Sequence, residues 1–278
     1  MQIEIQLIQY EESLLSFDYL YALHSAIMKT IDAFRPEMAN ALHEGVHKDR
    51  MKLFSFSPLN SWPLPKLVQI EGEPRKKMLL GQKVWFRIAS PWPELLNSIG
   101  ESLLKTQGLK LLNKSFQITQ INMIAPPDLK EEMVWMPFGQ SGSICTSWSL
   151  KNTERKLFVY PDKSIEGSPS CKELLTSNLY HKFKRLQEIR PDIASAWLRD
   201  SGAEIVSPEK TPISIEFLPL SKEKNYKNIM HSGKNTVIKT WRCPVKVSAP
   251  LPIQRLIWAC GLGDMNSQGY GLTEEGKS

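Results

Sequence analysis

Along residues 1–9, Gln2, Glu4 and Gln6 alternate with Ile3, Ile5 and Leu7, a period of two that predicts a strand with one buried face. Over residues 17–34 the period changes. Leu20, Leu23, Ile27, Met28 and Ile31 recur at spacings of three and four, which predicts an amphipathic helix. Pro36 sits where a second short helix can start, with Met38, Ala39, Ala41 and Leu42 continuing helical spacing up to His43 and Gly45 as its terminator. Residues 52–57 alternate again, with Leu53, Ser55 and Ser57 on one side and Phe54 and Phe56 on the other, and read as a second strand ending at Pro58. The apolar runs 67–70 and 84–88 predict a hairpin, with 71–82 between its strands. In Pro93–Thr106, Leu95, Leu96, Ile99, Leu103 and Leu104 repeat at helical spacing. Residues 116–124 alternate, and Pro126 and Pro127 close the unit.

The pattern then starts over. Residues 145–150 and 157–160 predict strands, 174–186 a helix carrying Lys182, Lys184 and Arg185, and 193–198 a further helical stretch. Ile213, Ile215 and Phe217 alternate as a strand, 237–247 reads as one long strand, and 252–260 as the last helix. Strand, helix, strands, helix, strand is the order of a ferredoxin-like unit, whose sheet also serves as an RNA-recognition platform. The expected fold is therefore α+β, with two tandem ferredoxin-like domains over residues 1–125 and 140–278, joined near 126–139.

Composition sharpens this picture modestly. The 278 residues include 35 Lys and Arg against 29 Asp and Glu, a formal charge of +6, which suits a protein with a basic face and a polyanionic partner. It equally suits a generic basic protein. The four cysteines, Cys145, Cys171, Cys243 and Cys260, are too far apart for paired metal-ligand spacing, no signal-peptide pattern precedes them, and they read as reduced thiols. No His or carboxylate cluster has metal-site spacing, so neither a metal nor another cofactor is expected. No stretch approaches the roughly 18 apolar residues of a membrane span. The expectation is a cytoplasmic protein.

Residues 261–271, Gly-Leu-Gly-Asp-Met-Asn-Ser-Gln-Gly-Tyr-Gly, hold four glycines in two Gly-X-Gly pairs. Glycine serves where the backbone takes positive φ or another backbone comes close, and amide runs at such places bind anions. The dinucleotide fingerprint is excluded, because it needs Gly-X-Gly-X-X-Gly after a strand and before a helix. Here the helix comes first. A tight connection and a phosphate-holding loop both fit the residues.

Three segments together resemble a known family. Gly261-Leu262-Gly263 with Asn266, Ser267, Gln268, Gly269, Tyr270 and Gly271 is similar to the glycine-rich loop of the CRISPR-associated endoribonucleases that cut the repeat in precursor CRISPR RNA, members of the repeat-associated mysterious protein superfamily. Leu42-His43-Glu44 followed by 52–57 resembles that family's helix-to-strand segment, and 174–182, with Asn178 and Leu179, the helix of its second domain. The resemblance implies tandem ferredoxin-like domains and metal-independent cleavage, in which a ribose 2′-hydroxyl attacks the adjacent phosphate and leaves a 2′,3′-cyclic phosphate and a 5′-hydroxyl. It places a histidine at His43 and a lysine at Lys52. Some members carry a tyrosine where Met28 stands, so a tyrosine-containing triad is not expected here, and Tyr21 does not replace it by sequence alone.

Such chemistry needs a proton taken from the 2′-oxygen, a proton given to the 5′-oxygen, and charge stabilisation between them. Imidazole titrates near neutrality, which suits His43 as general base or acid, and Lys52 supplies a fixed positive charge for the phosphorane. The alternatives are a helix-packing His43 and a solvated Lys52. His47 is the rival, four residues on. His24 reads as structural, while His181 and His231 read as solvated or phosphate-contacting. RNA phosphates would meet Lys48, Arg50, Lys182, Lys184 and Arg185, with backbone amides offered by the loop residues Gly261, Gly263, Asn266, Ser267, Gly269 and Gly271. Trp148, Tyr180 and Tyr226 are candidate stacking platforms or core residues. The expected partners are CRISPR repeat RNA and other effector subunits; the competing expectation is a subunit that holds repeat RNA without cutting it.

Overall fold

The computed structural model describes residues 1–16, 19–37, 39, 52–73, 76–139, 141–149, 156–205, 210–218, 226–230 and 237–276. In the first half the chain runs β1 (Gln2–Ile8), β2 (Ser13–Leu15), α1 (Tyr19–Phe34), β3 (Ser55–Phe56), β4 (Asn60–Trp62), β5 (Lys66–Val68), β6 (Lys77–Leu80), β7 (Lys83–Ala89), α2 (Pro93–Thr106), β8 (Gly108–Leu111) and β9 (Lys114–Ile124). The main sheet has the order β3-β7-β1-β9-β8, with β4 also on β7. Its first four strands follow the ferredoxin-like arrangement. Ile3, Ile5 and Leu7 bury one face of β1 in a core shared with Leu23, Ile27 and Ile31 of α1 and Leu95, Leu96, Ile99 and Leu103 of α2, the stripes that the two periods predict. Pro93 opens α2 at its first turn, where its missing N–H costs nothing.

Three expectations for this half are corrected. The run at 67–70 does not pair with 84–88: β5 pairs with β6, Leu67 opposite Met78, while β7 lies in the main sheet with Arg87 opposite Glu4. Met78 and Leu80 are buried, so the stretch expected to connect a hairpin is itself a strand of a small accessory sheet. The strand at 52–57 shortens to Ser55 and Phe56, the two residues that pair with β7, and both its faces are buried: Phe54 and Phe56 enter the first core, whereas Leu53 enters the second. β8, hidden behind α2 in the sequence, buries Leu109 and Leu111.

In the second half follow β10 (Glu132–Pro137), β11 (Ser147–Ser149), β12 (Lys156–Phe158), α3 (Cys171–Ile189), α4 (Pro191–Ser201), β13 (Ser214–Phe217), β14 (Tyr226–Met230), β15 (Val237–Trp241), β16 (Val245–Ser248), α5 (Leu251–Cys260), a 3-10 turn (Asn266–Gln268) and β17 (Thr273–Glu275). The sheet order β13-β16-β10-β17 repeats that of the first half, so the chain is a tandem of ferredoxin-like folds. The central strand β10 occupies the stretch expected to join the halves. Its alternation of buried Met133, Trp135 and Pro137 is masked in sequence by prolines on either side. Residues 237–247 form two strands rather than one. β15 pairs with β14 and β16 with β10 and β13, the break falling at Pro244, which has no N–H to donate to a ladder. Ser170 and Glu173 form a capping box at the start of α3. All four cysteines are free and buried; burial pushes Cys171, Cys243 and Cys260 up to about 12 and Cys145 further, so they are neutral thiols at physiological pH.

The halves share a seam. The buried Gln2 side chain donates to the carbonyls of Trp258 at 3.0 Å and Thr273 at 3.3 Å, and Ala89 of β7 packs with Phe138 and Leu272. Tyr270 of the second half lies in the first core. Arg190 pairs with Glu94 at 2.7 Å across the outside. Truncating Leu53→Ala should cost about 2–5 kcal/mol in urea unfolding, and Gln2→Ala about 1–3 kcal/mol through two stranded carbonyls; a cost for Leu53→Ala near zero would show that the seam is not packed as described.

Candidate functional site

Helix α5 ends at Gly261, and the chain turns back to β17 through residues 261–272. Leu262 N–H donates to the Gly271 carbonyl at 2.8 Å, bringing the two ends of the loop together. Gly271 has a φ of +76°, and a Cβ there would strike the Leu262 carbonyl, so only glycine fits. Inside the loop, the buried Asn266 amide donates to the carbonyls of Leu262 and Tyr270, both at 3.0 Å. Underneath, the Lys182 ammonium of α3 donates to the carbonyls of Gly261 at 2.8 Å and Gly263 at 2.9 Å. Asp264 tethers the outer edge, accepting from Ser147 N–H at 2.8 Å, Ser147 Oγ at 2.9 Å and the Asn178 amide at 2.9 Å. At Gly269, with φ of +92°, a Cβ would lie 2.9 Å from Leu20 and Phe56, which shows how closely the loop packs on the first half.

Beside this loop runs a groove of about 870 Å³. Its walls are α3, the β11–β12 hairpin, the loop from Gly263 to Gln268, and Lys52 from the first half. Lys52, Lys156, Lys184 and Arg185 face it, together with His181 and Trp148, against the carboxylates of Asp264 and Glu188. Arg185 pairs with Glu188 at 3.1 Å, and Asp264 is taken up by the three donors above. The groove is therefore electropositive, open along its length, and contributed to by both halves. It can hold a chain of phosphates.

The structure brings Lys52, Lys184, Arg185 and Ser267 to one groove. One expected RNA contact of a side chain is corrected. Lys182 is 2% exposed; its ammonium is spent on two loop carbonyls, and burial pushes it down to about 8 against the opposing pull of Cys260 and Asp264. The Asn266 side-chain amide is likewise spent within the loop. The glycines offer fewer amides than expected, since Gly261 N–H donates to Ile257, Gly269 N–H to Asn266 and Gly271 N–H to Ser143. His43, His47, Lys48, Arg50 and His231 lie outside the described residues. Met28 is buried in the first core, Tyr21 is exposed on α1, and His24 is stacked with Phe54 and with Phe56, ring centroids 6.3 and 6.5 Å apart, a packing role.

Sequence reasoning passed over Asp264, Ser147 and Lys156. Asp264 is the one acidic residue of the glycine stretch, a signal that it holds something locally, but its partners are distant in the chain. Lys182 carried a readable signal: with Leu175, Leu179 and Leu186 it falls at spacings of four, three and four, on the buried stripe of α3. Among the described residues, no three His, Cys, Asp or Glu side chains converge as a metal-binding set, and no helix is long and apolar enough to cross a membrane.

Comparison with known proteins covers both halves. The family profile described as CRISPR-associated protein Cas6, N-terminal, matches residues 14–122, and the one described as CRISPR associated protein Cas6, C-terminal, matches residues 126–275. Among solved structures, one described as a Cas6-related gene from Pyrococcus furiosus superposes with a TM-score of 0.72 at 16% identity, covering 100% of this chain and 99% of that one. Another, described as a RAMP protein binding different RNA substrates, gives 0.70 at 19% identity with both chains fully covered. A third, described as CRISPR associated protein Cas6, gives 0.67 at 20% identity, covering 100% and 99%. At these identities the likeness establishes the tandem fold. A search among curated proteins finds no significant match.

The clamp under the loop makes two outcomes measurable. Unfolded, Lys182 keeps its proton to its ordinary value of 10.5; folded, only to about 8. Between these values the unfolded chain binds more protons, so this residue's contribution to stability rises with pH. Relative to Lys182→Met, the wild type should gain about 2 kcal/mol in urea unfolding between pH 8 and 10.5; a constant difference would mean that the amine is not buried. Gly271→Ala should cost more than about 2 kcal/mol, read as a fall in thermal midpoint.

Proposed function

The chain belongs to the CRISPR-associated Cas6 family, and from that membership we propose that it is an endoribonuclease that cuts the repeat within precursor CRISPR RNA, without a metal, and then stays on its product within a CRISPR effector assembly. The observation that carries the reading is the groove: phosphate-binding cations from two domains line it, and Lys52, matched to the family's lysine, reaches it from the strand side. On the sheets, Arg87 is paired with Glu4 at 3.0 Å and Lys246 with Glu132 at 2.9 Å.

In this reading the RNA backbone lies along Lys184, Arg185 and Lys156, with the scissile phosphate near Lys52. The 2′-hydroxyl attacks in line, the P–O5′ bond breaks, and the products carry a 2′,3′-cyclic phosphate and a 5′-hydroxyl. His43 moves one of the two protons, and the Lys52 ammonium offsets charge on the phosphorane oxygens. A second reading, a subunit that holds repeat RNA without cutting, is favoured by Met28: the position matched to a tyrosine in some relatives has no hydroxyl and is buried.

A labelled repeat RNA incubated with the protein in EDTA separates the two. The expected result is cleavage, blocked by a 2′-deoxy substitution at the cut site and lowered about 100-fold or more by His43→Ala, with RNA binding little changed. Tight binding without product would support the scaffold, and full activity in His43→Ala would move the role to His47. Replacing Lys184 and Arg185 together by Ala should flatten the dependence of log affinity on log salt by about 1.4, at about 0.7 per phosphate contact on a single strand.

A further inference from the structure

His181 projects from α3 into the groove, one turn before Arg185. Its Nδ1 lies 2.7 Å from the Ser177 carbonyl oxygen and 3.2 Å from Ser177 Oγ. A carbonyl only accepts, so the ring's proton sits on Nδ1, and in the neutral imidazole Nε2 carries the lone pair. The Tyr180 ring meets the imidazole edge-on at 5.7 Å. The backbone carbonyl thus sets the tautomer of this exposed ring.

The two carboxylates of the groove are committed. Asp264 accepts from Ser147 and Asn178, and Glu188 is paired with Arg185. Lys52, Lys156, Lys184 and Arg185 offer only positive charge there. A ring bonded in this way has no proton on Nε2 to give to a phosphate but can take one from a hydroxyl.

We propose that His181 is a catalytic residue from the second domain: its Nε2 accepts the 2′-hydroxyl proton as the general base of RNA cleavage. The inference rests on the cleavage reading above and assigns the two protons. The 2′-oxygen loses its proton to Nε2 of His181 and bonds to phosphorus; the P–O5′ bond breaks, and the 5′-oxygen takes a proton from the imidazolium of His43. The His181 ring ends as imidazolium and the His43 ring ends neutral, so charge and protons balance. The charged groups lining the same groove are Lys52, Lys156, Lys182, Lys184 and Arg185, with Asp264 and Glu188.

The test is single-turnover cleavage of a repeat RNA in EDTA by the full chain, with His181→Ala and with His181→Asn, which keeps a donor near the Ser177 carbonyl and removes Nε2. Each RNA is made with the natural 5′-oxygen and with sulfur in its place, a leaving group that needs no acid. Both variants should lose about 100-fold or more in rate and the rising acid limb of the pH profile, while binding of 2′-deoxy repeat stays within about threefold of wild type. Sulfur should rescue His43→Ala and leave the His181 variants slow. Cleavage by both His181 variants within about threefold of wild type would overturn the inference alone. So would rescue by sulfur, or a loss of binding that matches the loss of rate, the mark of a phosphate contact. A wild type that binds repeat RNA without cutting it would overturn the cleavage reading and this assignment together.

Discussion

A buried ammonium holds this molecule's working end in place. Lys182 gives up hydration to sit under the glycine loop, and taking a charge out of water is costly unless hydrogen bonds replace what water supplied. Two carbonyls from one loop supply them. The exchange is mutual, because a loop that reverses direction within a few residues leaves carbonyls pointing inward with no strand partner, and each unsatisfied one would carry its own penalty. Lysine and loop thus require each other. The groove depends on that pairing, since one of its walls is the loop and another is the helix that sends the lysine.

From the clamp outward, each contact fixes the next. Asp264 pins the loop to the β11–β12 hairpin and to Asn178, which sets the distance between hairpin and helix. Tyr270 and Gly269 press the loop's far side into the first domain's core, which sets where Lys52 stands relative to Lys184 and Arg185. A site assembled from two domains needs such a chain of contacts, because phosphate-binding charges hold a backbone in register only when their spacing is fixed. The glycines serve packing and reversal more than ligand contact.

Much of this could be read along the chain. The change from a period of two to one near four located β1, α1 and α2 closely, since each has a single buried face and periodicity reports one boundary between core and water. It failed where a segment has two cores to serve. Leu53 and Phe54 look like opposite faces of a strand, yet both are buried, in different domains. β10 went unread because its flanking prolines resemble a linker, and the division at Pro244 because both flanking strands are apolar in the same phase. At the site, surface charges such as Lys184 and Arg185 were legible from their cluster. Lys182 was misassigned because charge was weighed above its place on the apolar stripe, and Asp264 because hydrogen-bond partners more than eighty residues away leave no local trace.

The crossing of Leu53 and Tyr270 into each other's cores bears on how such a protein can change over generations. The halves repeat one topology, as duplicated units do, yet they are no longer interchangeable modules. A chimera joining either half to a foreign counterpart would leave a vacancy the size of a leucine or tyrosine on one side and an orphaned side chain on the other. Sequence drift along the seam is thereby confined to compensating pairs, while exposed positions on the groove walls, such as Lys156 and Lys184, carry no such constraint.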